Sequence, residues 1–350
     1  LSPPSDNEVA QRVVGSEEVE LLGWRPASGL GVPQHKDWVL RDKLGEGSVG
    51  EVWVAAHRQL DEQHIFKFCF DAEKLRSLKR ELTLLKFIRK TLGDRHDISK
   101  LYDVQLEHPP YYIEGDFSEH GDLTTWMDSQ GGVDRVPLET RLDLLSKIAR
   151  AVAAAHSVGV LHKDLKPSNI LIDVDENGLY PKLSDFGIGE LTGKAHPDEA
   201  GVTVVGFTEI LTEHEHLTLS GTRLYTPPES LIGHPFTIQG DVYAMGVMLY
   251  QLVIGDLKNP LAPGWERDVK DELLREDIAC CIDGDPSRRF SSALEIAERI
   301  DTLERRRKAY ELEQRRVAIE NRRKRITRLM VITTSILIVV LAAISVALVR

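Results

Sequence analysis

Cysteine is scarce in this sequence, and its scarcity excludes two kinds of scaffold. Only three cysteines occur among 350 residues, namely Cys69 and the adjacent pair Cys280 and Cys281. Their spacing matches neither a disulfide framework nor a zinc-binding cluster. We therefore expect a reducing compartment. Neighbouring cysteines in a helix point in different directions, so the pair is interpreted as small buried side chains rather than as a redox centre.

An excess of positive charge is also lacking. The formal net charge is −11 at pH 7, which argues against nucleic acid as a partner. Basic residues cluster only locally, in residues 305–328.

The N-terminal part has no basic and apolar signal segment, so we expect it to remain in the cytosol. Residues 1–37 contain proline and glycine without a sustained apolar period and are predicted to form a flexible segment.

Chemically active side chains are concentrated in residues 162–169, which read HKDLKPSN. In phosphoryl transfer, Asp164 would accept the proton of an attacking hydroxyl and Asn169 would hold a Mg²⁺ ion on the phosphates. Lys166, between them, would steady the transferred group. A charged loop before a strand is the alternative interpretation. The interpretation of residues 162–169 as a phosphoryl-transfer loop is strengthened if the other motifs of such an enzyme occur in the right order.

Short apolar runs separated by turns begin at residue 38 and predict strands. A G-x-G-x-x-G pattern lies between the first two runs, and its glycines would let backbone amides approach phosphate oxygens. The pattern comprises Gly45, Gly47 and Gly50, and Val52 follows it. A hairpin turn explains it about as well. The strand-like residues after it disfavour a dinucleotide-binding turn, which requires a helix there.

Lys67 lies inside the apolar run 65–70, where an unpaired ammonium group would be costly. It therefore needs an acidic partner. Leucines at helical spacing predict a helix over residues 73–90, with Glu81 in its middle. A Lys67–Glu81 pair would hold the lysine towards the α- and β-phosphates of a nucleotide. An ordinary surface glutamate is the alternative.

The remaining motifs follow in order along the chain. Two more apolar runs, residues 98–106 and 111–117, bring the predicted strands to five, and residues 118–123 are predicted to be a hinge to a helical region. Residues 183–187 read LSDFG, in which Asp185 would be a second metal ligand. Residues 221–229 read GTRLYTPPE.

Taken together, these motifs resemble a eukaryotic-type serine/threonine protein kinase over residues 38–303, with membrane-anchored bacterial members the most similar. The resemblance implies an α+β, two-lobed fold in which a five-stranded small lobe carries one helix and the large lobe is mainly helical. It implies ATP and Mg²⁺ as cofactors and protein serine or threonine hydroxyls as substrates. The implied catalytic residues are Asp164, Lys166, Lys67 and Glu81. The implied ATP-binding residues are Gly45, Gly47, Gly50, Val52, Lys67, Asp122 and Leu171. The implied metal ligands are Asn169 and Asp185. By the same resemblance, Asp241 supports the catalytic loop and Glu229 pairs with Arg289.

Three positions depart from the family pattern, and none removes a chemical part. Ile65 replaces the usual alanine two residues before the lysine, and Lys163 replaces the usual arginine before the catalytic aspartate. Gly115 falls at the gatekeeper position behind adenine, which predicts that ATP analogues with bulky N6 substituents are accepted. A polar insert at residues 192–220 is predicted to be a mobile loop.

Two other functions stay open from the sequence alone. A catalytically weak pseudokinase acting as a binding scaffold is disfavoured because every ionisable part is present. A small-molecule phosphotransferase is disfavoured by residues 221–229, which shape a peptide groove in protein kinases. Lys166 favours serine and threonine over tyrosine as acceptors.

The C-terminal part differs in composition from the rest of the chain. Residues 304–328 lack proline and glycine and are predicted to form a basic juxtamembrane helix. Residues 329–349 carry no charge and would span roughly 31 Å as a helix, close to the roughly 30 Å of a hydrocarbon core. We predict a single transmembrane helix in the cytoplasmic membrane, with the kinase domain cytosolic because the basic residues precede the span. Ala343 and Ala347 are compatible with a homodimer through this helix.

Overall fold

The computed structural model describes residues 24–46, 50–70, 72–176, 178–186, 190–191 and 222–348. The chain divides into two compact units, Leu1–Ile300 and Asp301–Arg350. Each unit is described by itself. Residues 1–23 and the polar insert 192–220, both subjects of predictions above, lie outside the described residues.

The first unit begins with an antiparallel sheet of six strands in the order β1-β2-β3-β4-β6-β5. The strands are β1 (Gly31–Val32), β2 (His35–Glu46), β3 (Glu51–His57), β4 (Gln63–Cys69), β5 (Leu101–Gln105) and β6 (Tyr111–Asp116). One face carries an aromatic core that includes the fully buried Phe66, Phe68 and Tyr112. Helix α1 (Ala72–Leu92) packs on the other face, where Leu78 contacts Cys69 and Ile113. The period-two alternation of β4 and β6 supplies both faces at once.

In the residues that the structure describes, the small-lobe sheet has six strands, so the prediction of five was wrong. The additional strand, β1, and the start of β2 come from the segment that was predicted to be flexible. In that segment Trp24 packs against Phe68 at 5.1 Å between ring centroids, and the guanidinium of Arg25 lies 4.3 Å over the Phe70 ring. The aromatic face of β4 needs a cover, and this segment provides it. In the described part of this segment, Gly29 and Pro33 lie in turns.

The large lobe is mainly helical, as expected. Its elements are α2 (Leu123–Ser129), α3 (Leu138–Ser157), β7 (Val160–Leu161), β8 (Ile170–Asp175), β9 (Gly178–Leu183), β10 (Glu190–Leu191), α4 (Pro228–Leu231), α5 (Ile238–Ile254), α6 (Glu272–Cys281) and α7 (Ala293–Asp301). Helix α5 is apolar around most of its circumference, which marks it as the central helix of the lobe. A Cβ at Gly246 would lie 2.3 Å from Cys281, so this glycine allows α6 to approach closely.

The described residues of the second unit lie mostly in helix α8 (Leu303–Leu348). It runs without interruption through both the predicted basic segment and most of the predicted membrane span. In the part of the chain that the structure describes, no helix is long and apolar enough to cross a bilayer, so the structure does not support the predicted span 329–349. Side chains from residue 336 onward, including Ala343 and Ala347, lie outside that description, and the homodimer stays a prediction.

Candidate active site

Asp241, near the start of α5, holds the loop that carries the predicted base. Its side chain is fully buried and accepts hydrogen bonds from the backbone N–H groups of His162 (3.0 Å) and Lys163 (2.9 Å) and from His156 Nε2 (2.8 Å). Burial alone would raise the pKa of Asp241, but the hydrogen bond and charge of His156, with help from His162, lower it below its ordinary value. The carboxylate therefore stays ionised and fixes the loop through the backbone of His162 and Lys163.

The predicted base, cation and amide come together within this loop. Lys166 Nζ lies 2.7 Å from Asp164 Oδ2, and Asn169 Nδ2 donates to the same oxygen at 3.0 Å and to the Asp164 carbonyl at 2.8 Å. Both side-chain contacts fall on Oδ2. Because the amide nitrogen of Asn169 is used in these bonds, its amide oxygen is the side-chain atom that could act as a metal ligand.

Lys67 and Glu81 form the predicted ion pair between β4 and α1. Lys67 Nζ lies 2.6 Å from Glu81 Oε1, and both side chains are largely buried. Burial alone would lower the pKa of Lys67, but the charges of Glu81 and Asp185 outweigh burial and raise it. The lysine is therefore a permanent cation. Val52 pairs with Lys67 across β3 and β4, which places the predicted ATP-binding valine beside it.

Asp185 is brought to the catalytic loop by its neighbours in sequence. Ser184 donates from both its backbone N–H and its hydroxyl to the carbonyl of Asn169, each at 3.0 Å. His162 Nε2 lies 3.0 Å from the Ser184 carbonyl, and its ring packs 4.6 Å from that of Phe186. The two predicted metal ligands, Asn169 and Asp185, therefore lie on segments that are bonded directly to each other.

Asp122 and Leu171 meet where the hinge touches the large lobe. The two residues form an isolated antiparallel bridge, and Ile172 N–H donates to the Gly121 carbonyl at 2.9 Å. Ser118 adds a hydroxyl bond to the Ile172 carbonyl. Asp122 itself caps α2 by accepting from Thr125 N–H at 2.8 Å. Two of the residues that the resemblance implies in ATP binding, Asp122 and Leu171, therefore lie side by side.

The glycines of the predicted phosphate loop are only partly described. Gly45 lies one residue before the end of β2 and pairs with Val52 on β3, and Gly47 falls in the gap at residues 47–49. Gly50 has a φ of 140°, and a Cβ there would lie 2.0 Å from the Phe68 carbonyl oxygen. No other residue fits at Gly50 without moving β4.

At Gly115, the predicted gatekeeper, the residue opposite on β4 has a large side chain. Ile65 on β4 pairs with Gly115 on β6. A Cβ at Gly115 would lie 3.6 Å from Ile65 Cγ1 and 3.2 Å from the Lys100 carbonyl oxygen. The isoleucine thus lies against the space that a larger residue at Gly115 would enter.

A second ion pair, between Glu229 and Arg289, fixes the segment that follows the polar insert 192–220. Arg289 donates to Glu229 through two nitrogens, at 2.6 and 2.7 Å, and from Nε to the Asp283 carbonyl at 2.8 Å. Burial opposes the ionised form of Glu229, but the bonds from Arg289 lower its pKa below the ordinary value. The predicted Glu229–Arg289 pair is therefore present and fixes α4.

Sequence reasoning missed several residues that hold the site in place. Ser184, Ser118 and His156 act through bonds to backbone or to a buried carboxylate. The first two have no motif of their own. His156 carries a weak signal, since it ends the helix that leads into the octet.

A family model described as the protein kinase domain matches residues 38–298, and the chain belongs to that family. It is 32% identical over 234 residues to serine/threonine-protein kinase PkaA of Streptomyces coelicolor, 30% over 271 residues to PknD of Protochlamydia amoebophila and 30% over 223 residues to pkn3 of Myxococcus xanthus. These matches cover 64%, 71% and 61% of this chain but only 40%, 26% and 36% of the relatives' own lengths. The chain thus corresponds to less than half of each relative.

Family membership implies ATP as phosphoryl donor together with Mg²⁺, and the residues present fit both. Asp185 and Asn169 offer carboxylate and amide oxygens, the ligands that this hard cation prefers. Lys67 offers a fixed positive charge for phosphate oxygens. When bound, the metal ion would neutralise charge on the phosphates.

Proposed function

We propose that this chain is an active serine/threonine protein kinase that transfers the γ-phosphoryl group of ATP to hydroxyl groups of proteins. The observation that carries the proposal is the buried Lys67–Glu81 ion pair at 2.6 Å, formed in the same molecule as an intact Asp164–Lys166–Asn169 cluster. A binding scaffold without activity needs neither. The pseudokinase alternative has no supporting observation.

The site residues contribute to catalysis in two ways, by positioning the reacting groups and by stabilising charge. Lys67, oriented by Glu81, binds phosphate oxygens and aligns the γ-phosphoryl group. Asp164 accepts the proton of the attacking hydroxyl, with Lys166 and Asn169 fixing its carboxylate through Oδ2. Lys166 carries a positive charge towards the transferred group, which favours the transition state over the ground state.

The class of amino acid that accepts the phosphoryl group is tested with radiolabelled ATP. Purified protein is incubated with ATP labelled in the γ-phosphate and a general protein substrate, and the product is analysed for phosphoamino acids. Phosphoserine and phosphothreonine are expected. Label found only in small molecules would support a phosphotransferase of another kind, and phosphotyrosine would contradict the assignment of Lys166.

The chain is anchored in a membrane with the kinase domain in the cytosol and acts in signalling. The support is sequence alone: residues 329–349 carry no charge, and a basic cluster at 322–328 precedes them. Fractionation of cells that express the chain tests the anchor, with a version ending at residue 328 as the control. The longer protein should require detergent for release. Its recovery in the detergent-free soluble fraction would contradict the anchor.

A further inference from the structure

Four polar side chains converge on the face of the small-lobe sheet that lies opposite α1. His35 begins β2, His64 lies on β4, Asp103 on β5 and Glu114 on β6. Glu114 is only 3% exposed, and the surrounding surface is aromatic. An unpaired carboxylate would be costly there, so this group must interact with a cation or with strong donors.

Three of these residues place possible metal-ligand atoms near one another. His35 Nε2 lies 2.6 Å from Asp103 Oδ2 and 3.7 Å from Glu114 Oε2, and ligand atoms of all three lie within 4.8 Å of one another. Four-coordinate zinc with bonds of about 2.0–2.2 Å separates its ligand atoms by about 3.3 Å. The His35–Glu114 spacing is close to this value. The His35–Asp103 contact has to open, and the half-exposed Asp103 side chain has room to move.

The fourth residue, His64, fixes the orientation of the buried carboxylate. Its Nδ1 lies 2.6 Å from Glu114 Oε1. The imidazole is stacked between the rings of Trp38, at 4.4 Å, and Tyr102, at 4.0 Å. A ring held on both faces cannot easily reorient, so Glu114 is held with its second oxygen towards His35. Carboxylates that bind metals are usually positioned by hydrogen bonds of this kind.

The chain topology gives such a site a structural consequence. Strands β3, β4 and β6 lie between β2 and β5 in the sheet, yet His35 touches Asp103, and Gln34 touches Gln105. The start of β2 therefore crosses the aromatic face to reach the far edge of the sheet. A bond at this point would clamp the N-terminal segment across the whole small lobe.

We propose that His35, Asp103 and Glu114 bind a Zn²⁺ ion, with water as the fourth ligand and His64 positioning Glu114. One imidazole and two carboxylates suit zinc better than Mg²⁺, which demands octahedral oxygen ligands. The ion replaces the direct contact between His35 and Asp103 and cross-links β2, β5 and β6. It stabilises the small lobe and takes no part in phosphoryl transfer.

The test measures zinc binding and thermal stability of the whole chain. Chelator-treated protein is dialysed against Zn²⁺ in excess Mg²⁺, bound metal is counted by elemental analysis, and the melting temperature is recorded with each metal. The variants are His35→Gln, which keeps a hydrogen-bonding side chain, and Asp103→Asn, which changes a half-exposed residue. His108→Gln, an exposed histidine in the turn between β5 and β6, is the matched control.

The wild type and His108→Gln should bind one more equivalent of Zn²⁺ than His35→Gln and Asp103→Asn, and only the first two should melt at a higher temperature with zinc. His64→Gln should weaken zinc binding by about 10- to 100-fold. The competing account is an ion pair between protonated His35 and the two carboxylates. If either folded variant binds as much zinc as the wild type, or if zinc leaves the wild-type melting temperature unchanged, the metal site is refuted.

Discussion

At the scale of single residues, the candidate site depends on backbone conformations that non-glycine residues rarely adopt. Lys163 has a φ of 67° and Asp185 a φ of 60°, both in the left-handed region. Each costs free energy that its surroundings must offset. The bonds to Asp241 do so for Lys163. For Asp185, the neighbouring residue Ser184 is fixed to Asn169.

The identity of the chemical groups could be predicted from the sequence, because Asp164, Asn169 and Asp185 sit in motifs of fixed spacing. The backbone conformations could not be predicted, because nothing in the local sequence around Lys163 or Asp185 indicates a positive φ. The supporting bonds from His156 and Ser118 were also unpredictable. They depend on contacts between residues far apart in the chain.

The buried carboxylate of Asp241 predicts a pH dependence of stability. Its folded-state pKa is lowered from the ordinary 3.8, so the carboxylate contributes stability above that value and loses it as the pH falls through the folded pKa. Asp241→Asn should therefore be less stable than the wild type at pH 7, by about 3 kcal/mol. The difference should shrink as the pH is lowered from 5 towards 3. Urea unfolding at each pH measures it, and a gap that widens in acid would contradict the assignment.

The pairing of Ile65 with Gly115 revises the expectation of an open pocket behind adenine. If Ile65 occupies that space, Ile65→Ala should raise kcat/KM for ATP analogues with bulky N6 groups by at least about tenfold relative to ATP, which corresponds to about 1.4 kcal/mol. Gly115→Met alone should impair ATP use because its longer side chain would compete with Ile65 for this space, and the double variant should recover part of the loss. Purely additive losses would show that the two side chains do not share this space.

At the scale of elements, the end of β6, just before the hinge, is tied to the β8–β9 hairpin by largely buried charges. Lys182 on β9 lies 2.6 Å from Asp173 Oδ2 and 3.4 Å from Asp116 Oδ2. Asp116 also accepts from Lys100 N–H at 2.8 Å and from the Tyr102 hydroxyl at 2.7 Å. This network joins the last strand of the small lobe to the first hairpin of the large lobe.

Removing the cation from this network should destabilise the domain. Lys182→Met leaves two largely buried carboxylates without their shared partner, which should cost about 3 kcal/mol. Denaturant unfolding measures the loss, with Lys100→Met as the control because that side chain is exposed. A change below about 1 kcal/mol, equal to that of the control, would mean that solvent already screens the cluster.

Elements with strong local periodicity could be predicted, whereas elements defined by distant contacts could not. The leucine spacing of α1 and the alternation of β4 and β6 are properties of the local sequence. Strand β1 has only two residues, Gly31–Val32, and Val32 belongs to the buried cluster of Phe68, against which Trp24 packs. No local pattern encodes that contact.

At the scale of the whole molecule, the kinase domain and the long helix α8 belong to separate compact units. The family match ends at residue 298, close to this division. The catalytic proposal therefore rests entirely on the first unit. The membrane proposal rests on the composition of the second, and the two can fail independently.

The central claim is that Asp164 is the base of an active kinase, and one pair of variants tests it most directly. Asp164→Asn keeps the size of the side chain and removes its basicity, whereas Asp175→Asn makes the same change on an exposed residue at the end of β8. Initial rates of label transfer from ATP to protein are compared in folded proteins of equal melting temperature. The account predicts a loss of about 10²- to 10⁴-fold for Asp164→Asn and almost none for Asp175→Asn. A near-normal rate in Asp164→Asn would contradict it.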